Sequence, residues 1–137
     1  MRDSELIEKA KKARERAYAP YSKFKVGAAL LAKSRRSRQR RGEKVYTGAN
    51  VENATFGLTV CAERVALFKA ITNGEKKFVK IAVVADKDEP ITPCGACRQV
   101  LSEFASDLKI ICANLEGKTK RYSLRKLLPE AFEKFKK

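Results

Sequence analysis

The chain has 137 residues, 44% of them hydrophobic, and a net charge of +15 from 31 basic and 16 acidic side chains. That length suits one domain with a real core, and that composition excludes a disordered chain. Four cysteines and no histidine exclude Ser-His and Cys-His nucleophile systems and leave Cys, Asp or Glu to hold any zinc.

No stretch approaches the roughly 18 apolar residues of a membrane span. The start, Met1-Arg2-Asp3-Ser4-Glu5, is polar and runs straight into a helical pattern without an apolar leader. We therefore expect a cytoplasmic protein. Its reduced thiols point to metal binding or catalysis rather than to disulfides.

Residues 4–18 predict an amphipathic helix, with Leu6, Ile7, Ala10, Ala13, Arg14 and Ala17 on one side. Asp3 or Ser4 is the expected N-cap and Pro20 the stop. Phe24 to Ala32 reads as a strand in which Gly27, Ala28 and Ala29 allow a close backbone approach. Lys33 to Lys44 carries seven basic side chains, one acid and no apolar residue. Such a segment cannot bury itself, so we expect a solvated hairpin loop.

Val45 to Val51 predicts a second strand, antiparallel to the first. A loop follows, then a helix over Cys61 to Thr72 stopped by Asn73-Gly74. Phe78 to Ala85 is apolar on both faces at Ile81-Ala82-Val83-Val84-Ala85, as an interior strand should be. Cys94 to Ser106 predicts a helix, Lys109 to Leu115 and Lys118 to Tyr122 two strands, and Leu124 to Leu128 a helix capped by Ser123. A further helical tail is expected after Pro129. The alternation of elements predicts an α/β fold, a three-layer α/β/α sandwich around a mixed five-stranded sheet, in a single domain over 1–137.

Two stretches carry the chemistry: Cys61-Ala62-Glu63-Arg64 and Pro93-Cys94-Gly95-Ala96-Cys97-Arg98. Each opens a predicted helix, where unpaired N–H groups and a partial positive charge favour thiolate. Cys94 and Cys97 stand one turn apart on the same side. Three soft ligands would leave one tetrahedral position of a zinc ion open, as catalytic sites do. Glu63 is set to handle protons there. Three thiolates leave zinc formally at −1, which Arg64 can offset by hydrogen bonding to sulfur. Cys112 sits in an apolar strand; we read it as a core residue, the other reading being a fourth ligand of a structural site.

Ligand-x-Glu followed by Pro-Cys-x-x-Cys is the pattern of the zinc deaminases, here with Cys in place of His. The chain resembles the small, homotetrameric, all-cysteine cytidine deaminases. The resemblance runs through Tyr18 to Leu30, Asn50-Val51-Glu52-Asn53-Ala54, Cys61 to Arg64, Pro93 to Val100 and Leu127-Leu128-Pro129. It implies a cytidine-deaminase-like fold, one Zn2+ per subunit on Cys61, Cys94 and Cys97, and hydrolysis of cytidine and 2′-deoxycytidine to the uridines in pyrimidine salvage. Glu63 would move the protons. Asn50 and Glu52 would hold the ribose hydroxyls, Phe24 would wall the pocket, and Ala54 would offer backbone to the base. Phe132 would reach a neighbouring subunit's pocket in a homotetramer with shared active sites. Arg64 and Gln99 would stand behind the ligands.

Glu52 also bears on substrate size. A carboxylate bonded to a 3′-hydroxyl needs that hydroxyl free, and a 3′-phosphodiester would remove the donor and add like charge. The Arg-rich insert departs from the family's tight hairpin. The alternative function is RNA or single-stranded DNA binding through Arg35, Arg36, Arg38, Arg40 and Arg41, although few aromatics interleave them to stack bases.

Overall fold

The computed structural model describes residues 1–34 and 42–132. Its elements are α1 (Asp3–Arg14), β1 (Val26–Lys33), β2 (Glu43–Ala49), α2 (Ala62–Thr72), β3 (Lys77–Ala85), α3 (Gly95–Phe104), β4 (Lys109–Ala113), β5 (Thr119–Ser123) and α4 (Leu124–Leu127). The strands form one five-stranded sheet in the order β2-β1-β3-β4-β5. β3 and β4 run parallel and the other neighbours antiparallel, which makes the sheet mixed, as expected. The five arginines of the insert lie outside the described residues.

The period of a strand decides the layers. On one face Ala29, Leu31, Ala82, Val84, Ile111 and Ala113 bury against Leu6 and Ala10 of α1. On the other, the alternate residues Ala28, Leu30, Ile81, Val83, Ile110 and Cys112 meet Ala62, Ala66, Leu67 and Ala70 of α2, Leu101 of α3 and Leu124 of α4. Successive side chains of a strand point to opposite faces, so a sheet covered on both sides must be apolar at every position. β3 is the central strand, and its Ile81–Ala85 run is buried throughout.

Two glycines let the helices sit close. A Cβ on Gly27 would lie 2.0 Å from the Ala10 carbonyl oxygen and 2.6 Å from the Arg14 amide nitrogen, both in α1. A Cβ on Gly48 would lie 2.6 Å from the Ala62 carbonyl oxygen and 2.6 Å from the Ala66 nitrogen, both in α2. The sequence reading anticipated the first approach but not the second. Gly48 pairs with Ala28 across the hairpin, next to Gly27–Ala49, so the two glycines serve opposite faces.

Several limits differ from the expectation. α1 starts after Arg2 as N-cap and ends at Arg14, several residues before Pro20. Asp3 is not a cap because its carboxylate is drawn into ion pairs with Lys80 (2.7 Å) and Arg121 (2.8 Å). Tyr18 then leaves the helix to bridge Val51. At the other end, the predicted helical tail after Pro129 is absent among the described residues, where Pro129–Glu130 is a turn and Glu130 has φ 52°. No helix among the described residues is long and apolar enough to cross a membrane.

Two outcomes test this frame. Gly48→Ala must displace backbone rather than a side chain, and should destabilise the protein by about 1–3 kcal/mol, the usual cost of overpacking, in denaturant titration. Hydrogen bonds from Lys80 and then Arg121 hold the Asp3 carboxyl below its ordinary value. Its stabilisation is therefore present above about pH 4 and fades as pH falls through the lowered folded value. Asp3→Asn should cost about 1 kcal/mol near neutrality, and its melting curve should merge with the parent's at low pH.

Candidate metal centre

Both helices that were expected to open on cysteine do so. Cys61 is the N-cap of α2 and Cys94 the N-cap of α3, each in extended backbone geometry, and Cys97 lies in the first turn of α3. α2 follows the short antiparallel bridge Val51–Val60, and α3 follows the loop leaving central strand β3. The two N-termini meet at one point. Cys61 Sγ lies 3.8 Å from Cys94 Sγ, Cys94 Sγ lies 3.5 Å from Cys97 Sγ, and all three sulfurs fall within 4.8 Å of one another. Zn–S bonds of about 2.3 Å in a tetrahedron separate sulfurs by about 3.8 Å, so the cluster has the spacing of a zinc site. Cys112 is fully buried in β4, outside this cluster, with its thiol pushed up to about 12 by burial.

The charges around the sulfurs are arranged for a cation. Cys61 is lowered to about 5, first by a hydrogen bond from the Cys97 thiol and then, against burial, by Arg64 and Cys94. Cys97 moves the other way, raised by that shared bond with Cys61 and by burial. Within the pair alone the shared hydrogen bond and burial favour the thiolate on Cys61 and the thiol on Cys97. Arg64 Nη2 lies 3.4 Å from Cys61 Sγ and 3.4 Å from the Thr59 carbonyl oxygen. Its Nε is buried with no hydrogen-bond partner among the described residues, a donor left over beside the sulfurs.

Glu63 is 4% exposed although charged by type. Burial first, and the nearby Cys61 charge after it, raise its carboxyl to about 7. It lines a cavity of about 210 Å³ with Cys61, Cys94, Phe24, Asn50, Glu52 and Thr92. That is less than the roughly 300 Å³ at which pockets for drug-sized ligands begin. A larger depression of about 1020 Å³ opens at the opposite end of the sheet, lined by Lys33, Lys80 and Lys109 among others, and holds none of the predicted site residues.

The other predicted residues divide. Phe24 borders the cavity, with the Lys87 ammonium 5.6 Å from its ring centre. Asn50 also borders it, but its amide accepts from Val26 N (2.8 Å) and donates to the Phe24 carbonyl (2.9 Å), which holds the entry to β1 in place. Glu52 accepts from the Tyr21 and Ser22 amides at 2.9 and 3.1 Å and from the Ser22 hydroxyl. Those donors, the Ser22 hydroxyl first, hold its carboxyl below the ordinary value. Ala54 is exposed on its loop and is not part of the cavity wall. Phe132 is 68% exposed and stands away from the cavity. Gln99 donates to the Phe132 carbonyl at 2.9 Å. Ser22, Val26, Thr59, Ile91 and Thr92 line the cavity without having been singled out; Ser22 and Val26 at least lie inside a stretch that carried the resemblance.

The cluster makes a discriminating prediction. Cys61→Ser, Cys94→Ser and Cys97→Ser should each bind zinc at least about 10-fold more weakly in chelator competition, because a ligand is lost. Cys112→Ser should retain one zinc per chain; loss of zinc there would make Cys112 a ligand.

The family described as "Cytidine and deoxycytidylate deaminase zinc-binding region" matches residues 1–113. A cytidine deaminase of Halalkalibacterium halodurans is 52% identical over 128 residues, 93% of this chain and 91% of that protein. One of Sporosarcina psychrophila is 48% identical over 130 residues, 94% of this chain and 90% of that protein. The crystal structure of cytidine deaminase from Burkholderia pseudomallei superposes with a TM-score of 0.88 at 49% identity, covering 96% of this chain and 100% of that one. Sequence, fold and thiol geometry agree, and the chain is an enzyme of the cytidine and deoxycytidylate deaminase family.

Proposed function

We propose that the protein converts free cytidine and 2′-deoxycytidine to uridine and 2′-deoxyuridine by hydrolytic deamination, with one zinc ion per subunit, in cytoplasmic pyrimidine salvage. The observation that carries this reading is a buried carboxylic acid, Glu63, lining the same small cavity as the convergent thiols. Bound zinc supplies Lewis-acid activation of a water molecule. Glu63 takes a proton from that water as its oxygen bonds to C4 of the base. It passes that proton to the ring nitrogen N3, then takes the remaining proton of the new C4 hydroxyl and gives it to the amine, so that ammonia leaves as the C4–N bond breaks and the C4 carbonyl forms. Glu63 cannot drift away from this task, since it belongs to the first turn of α2 and is enclosed there. Arg64 donates to Cys61 and offsets the negative charge of three thiolates.

The wall of the cavity favours a nucleoside. Phe24, Asn50 and Glu52 line the same cavity as Glu63, and in this reading Phe24 offers the base an aromatic face while Asn50 and Glu52 meet the ribose hydroxyls. A free 3′-hydroxyl suits the Glu52 carboxylate, whereas a phosphodiester would repel it. Lys33, next to the insert in sequence, stands at the end of β1 away from the cavity. Val26 at the cavity opens β1 and Lys33 beside the insert closes it, and seven steps of about 3.3 Å separate them by ~23 Å.

The site is also open on one side in a single chain. Tyr18, Tyr21, Val51, Phe56 and Leu58 leave an apolar surface near Glu52, with Tyr21 and Phe56 in edge contact at 5.8 Å. Exposed aromatics of this extent usually meet a partner surface. We take that partner to be further copies of the chain in a homotetramer, in which Phe132 and the Ala54 loop would complete neighbouring sites.

The test is spectrophotometric. Absorbance should fall as cytidine becomes uridine, and removal of zinc by a chelator should abolish the change. Glu63→Ala should keep zinc and lose about 100-fold or more in kcat, the scale of acid–base catalysis. Turnover by Glu63→Ala at the parent rate would sink the mechanism.

A further inference from the structure

We propose that Arg98 is a positioning residue for the metal centre: its guanidinium sets the Thr92-Pro93 approach to Cys94 and ties it to the end of α4. The inference rests on Cys94 being a ligand, as the function above requires. Each nitrogen of the guanidinium has one acceptor. Nε donates to the Pro93 carbonyl at 2.7 Å, Nη2 to the Thr92 hydroxyl at 2.9 Å, and Nη1 to the Leu127 carbonyl at 2.9 Å. The first two acceptors immediately precede Cys94, and the third closes α4.

The need for such a clamp lies in the loop itself. Among the described residues, no backbone amide from Asp88 to Cys94 donates to another backbone group. Pro90 and Pro93 have no N–H to give. A chain segment without its own ladder is placed by whatever side chains hold its carbonyls and hydroxyls. Pro93 is buried, but Cys94 is itself exposed and a Cβ on the neighbouring Gly95 would meet nothing within 4 Å, so packing does not reach past Pro93 to these two residues. Arg98 is one turn into α3, the helix that carries Cys97, and therefore registers Cys94 against Cys97. Gln99 extends the tie by holding the Phe132 carbonyl. Two consecutive side chains of α3 thus bind the segment from Leu127 to Phe132 to the helix of the metal centre.

A lysine carries the same charge on one nitrogen and cannot satisfy three separated acceptors. We therefore compare Arg98→Met, Arg98→Lys and Thr92→Val with the parent, reading zinc affinity by chelator competition and the thiolate-to-metal absorption of the cobalt-substituted protein. Arg98→Met should weaken zinc about 10- to 100-fold, the usual effect of groups that orient ligands. Arg98→Lys should recover part of that loss, and Thr92→Val should show a smaller loss in the same direction. The cobalt band should shift while far-UV circular dichroism stays at the parent's, a combination that general destabilisation does not produce. If Arg98→Met does not fold, Arg98→Lys and Thr92→Val decide. Parent-like zinc affinity and cobalt spectra in the folded variants overturn the proposal. Cys94→Ser, measured beside them, separates the two readings. Parent-like zinc binding by Cys94→Ser removes the ligand assignment and the positioning role together. Weakened binding by Cys94→Ser with none in the Arg98 and Thr92 variants removes the positioning role alone.

Discussion

Three sulfurs within 4.8 Å of one another are stable only where positive charge meets them, and much of the molecule is organised to supply it. Thiolates at that distance repel, and the Cys61–Cys97 pair shares one hydrogen bond that favours the charged form of Cys61 and the neutral form of Cys97. The first source of compensation is backbone: two helices bring their unpaired N–H groups and partial positive charge to the same point. Arg64 is the second, close to Cys61 Sγ. The metal completes the set, and histidine, which would have reduced the problem by replacing a charged ligand with a neutral one, does not occur in the chain.

Bringing two helix N-termini together is a task for the sheet. β3 lies at its centre and delivers the loop that leads to Cys94, while the β1–β2 hairpin delivers Asn50, Glu52 and then Cys61. Placing α2 tightly against that hairpin requires the missing side chain of Gly48. The same packing encloses Glu63, whose carboxyl would be an ordinary first-turn acid on an exposed helix. Fold, burial and proton chemistry are therefore one argument: the apolar contacts that seat α2 also set the acid's environment.

The charge of the chain is a separate matter from this chemistry. Lys33, Lys80 and Lys109 gather around the depression at the far end of the sheet, where the Ser34 amide donates to the Gly42 carbonyl. The cavity with Glu63 is at the other end, lined by Val26 and Asn50. Lys33, Lys80 and Lys109 and the cavity lined by Glu63 thus stand at opposite ends of β1.

The sequence by itself determined the kind of chemistry. Spacing placed Cys94 and Cys97 on one helical turn, the absence of histidine left Cys, Asp or Glu as the possible ligands, and Glu63 stood two positions from Cys61, all local facts that helix geometry carries into the fold. The layers were equally legible, because a run such as Ile81–Ala85, apolar at every position, suits a strand covered on both faces. What only the tertiary structure decided were pairings between distant segments. Spacing offers Asp3 or Ser4 as the cap of α1, whereas Arg2 takes that place and the Asp3 carboxylate pairs with Lys80 and Arg121. Asn50 was read as a ribose ligand, and its amide proved to hold β1 as well. Gln99 turned to Phe132, and Arg98 turned to Thr92, Pro93 and Leu127. The physical reason is that a polar side chain reaches several Å in a direction set by packing, so its partner is fixed by the approach of another element rather than by spacing along its own.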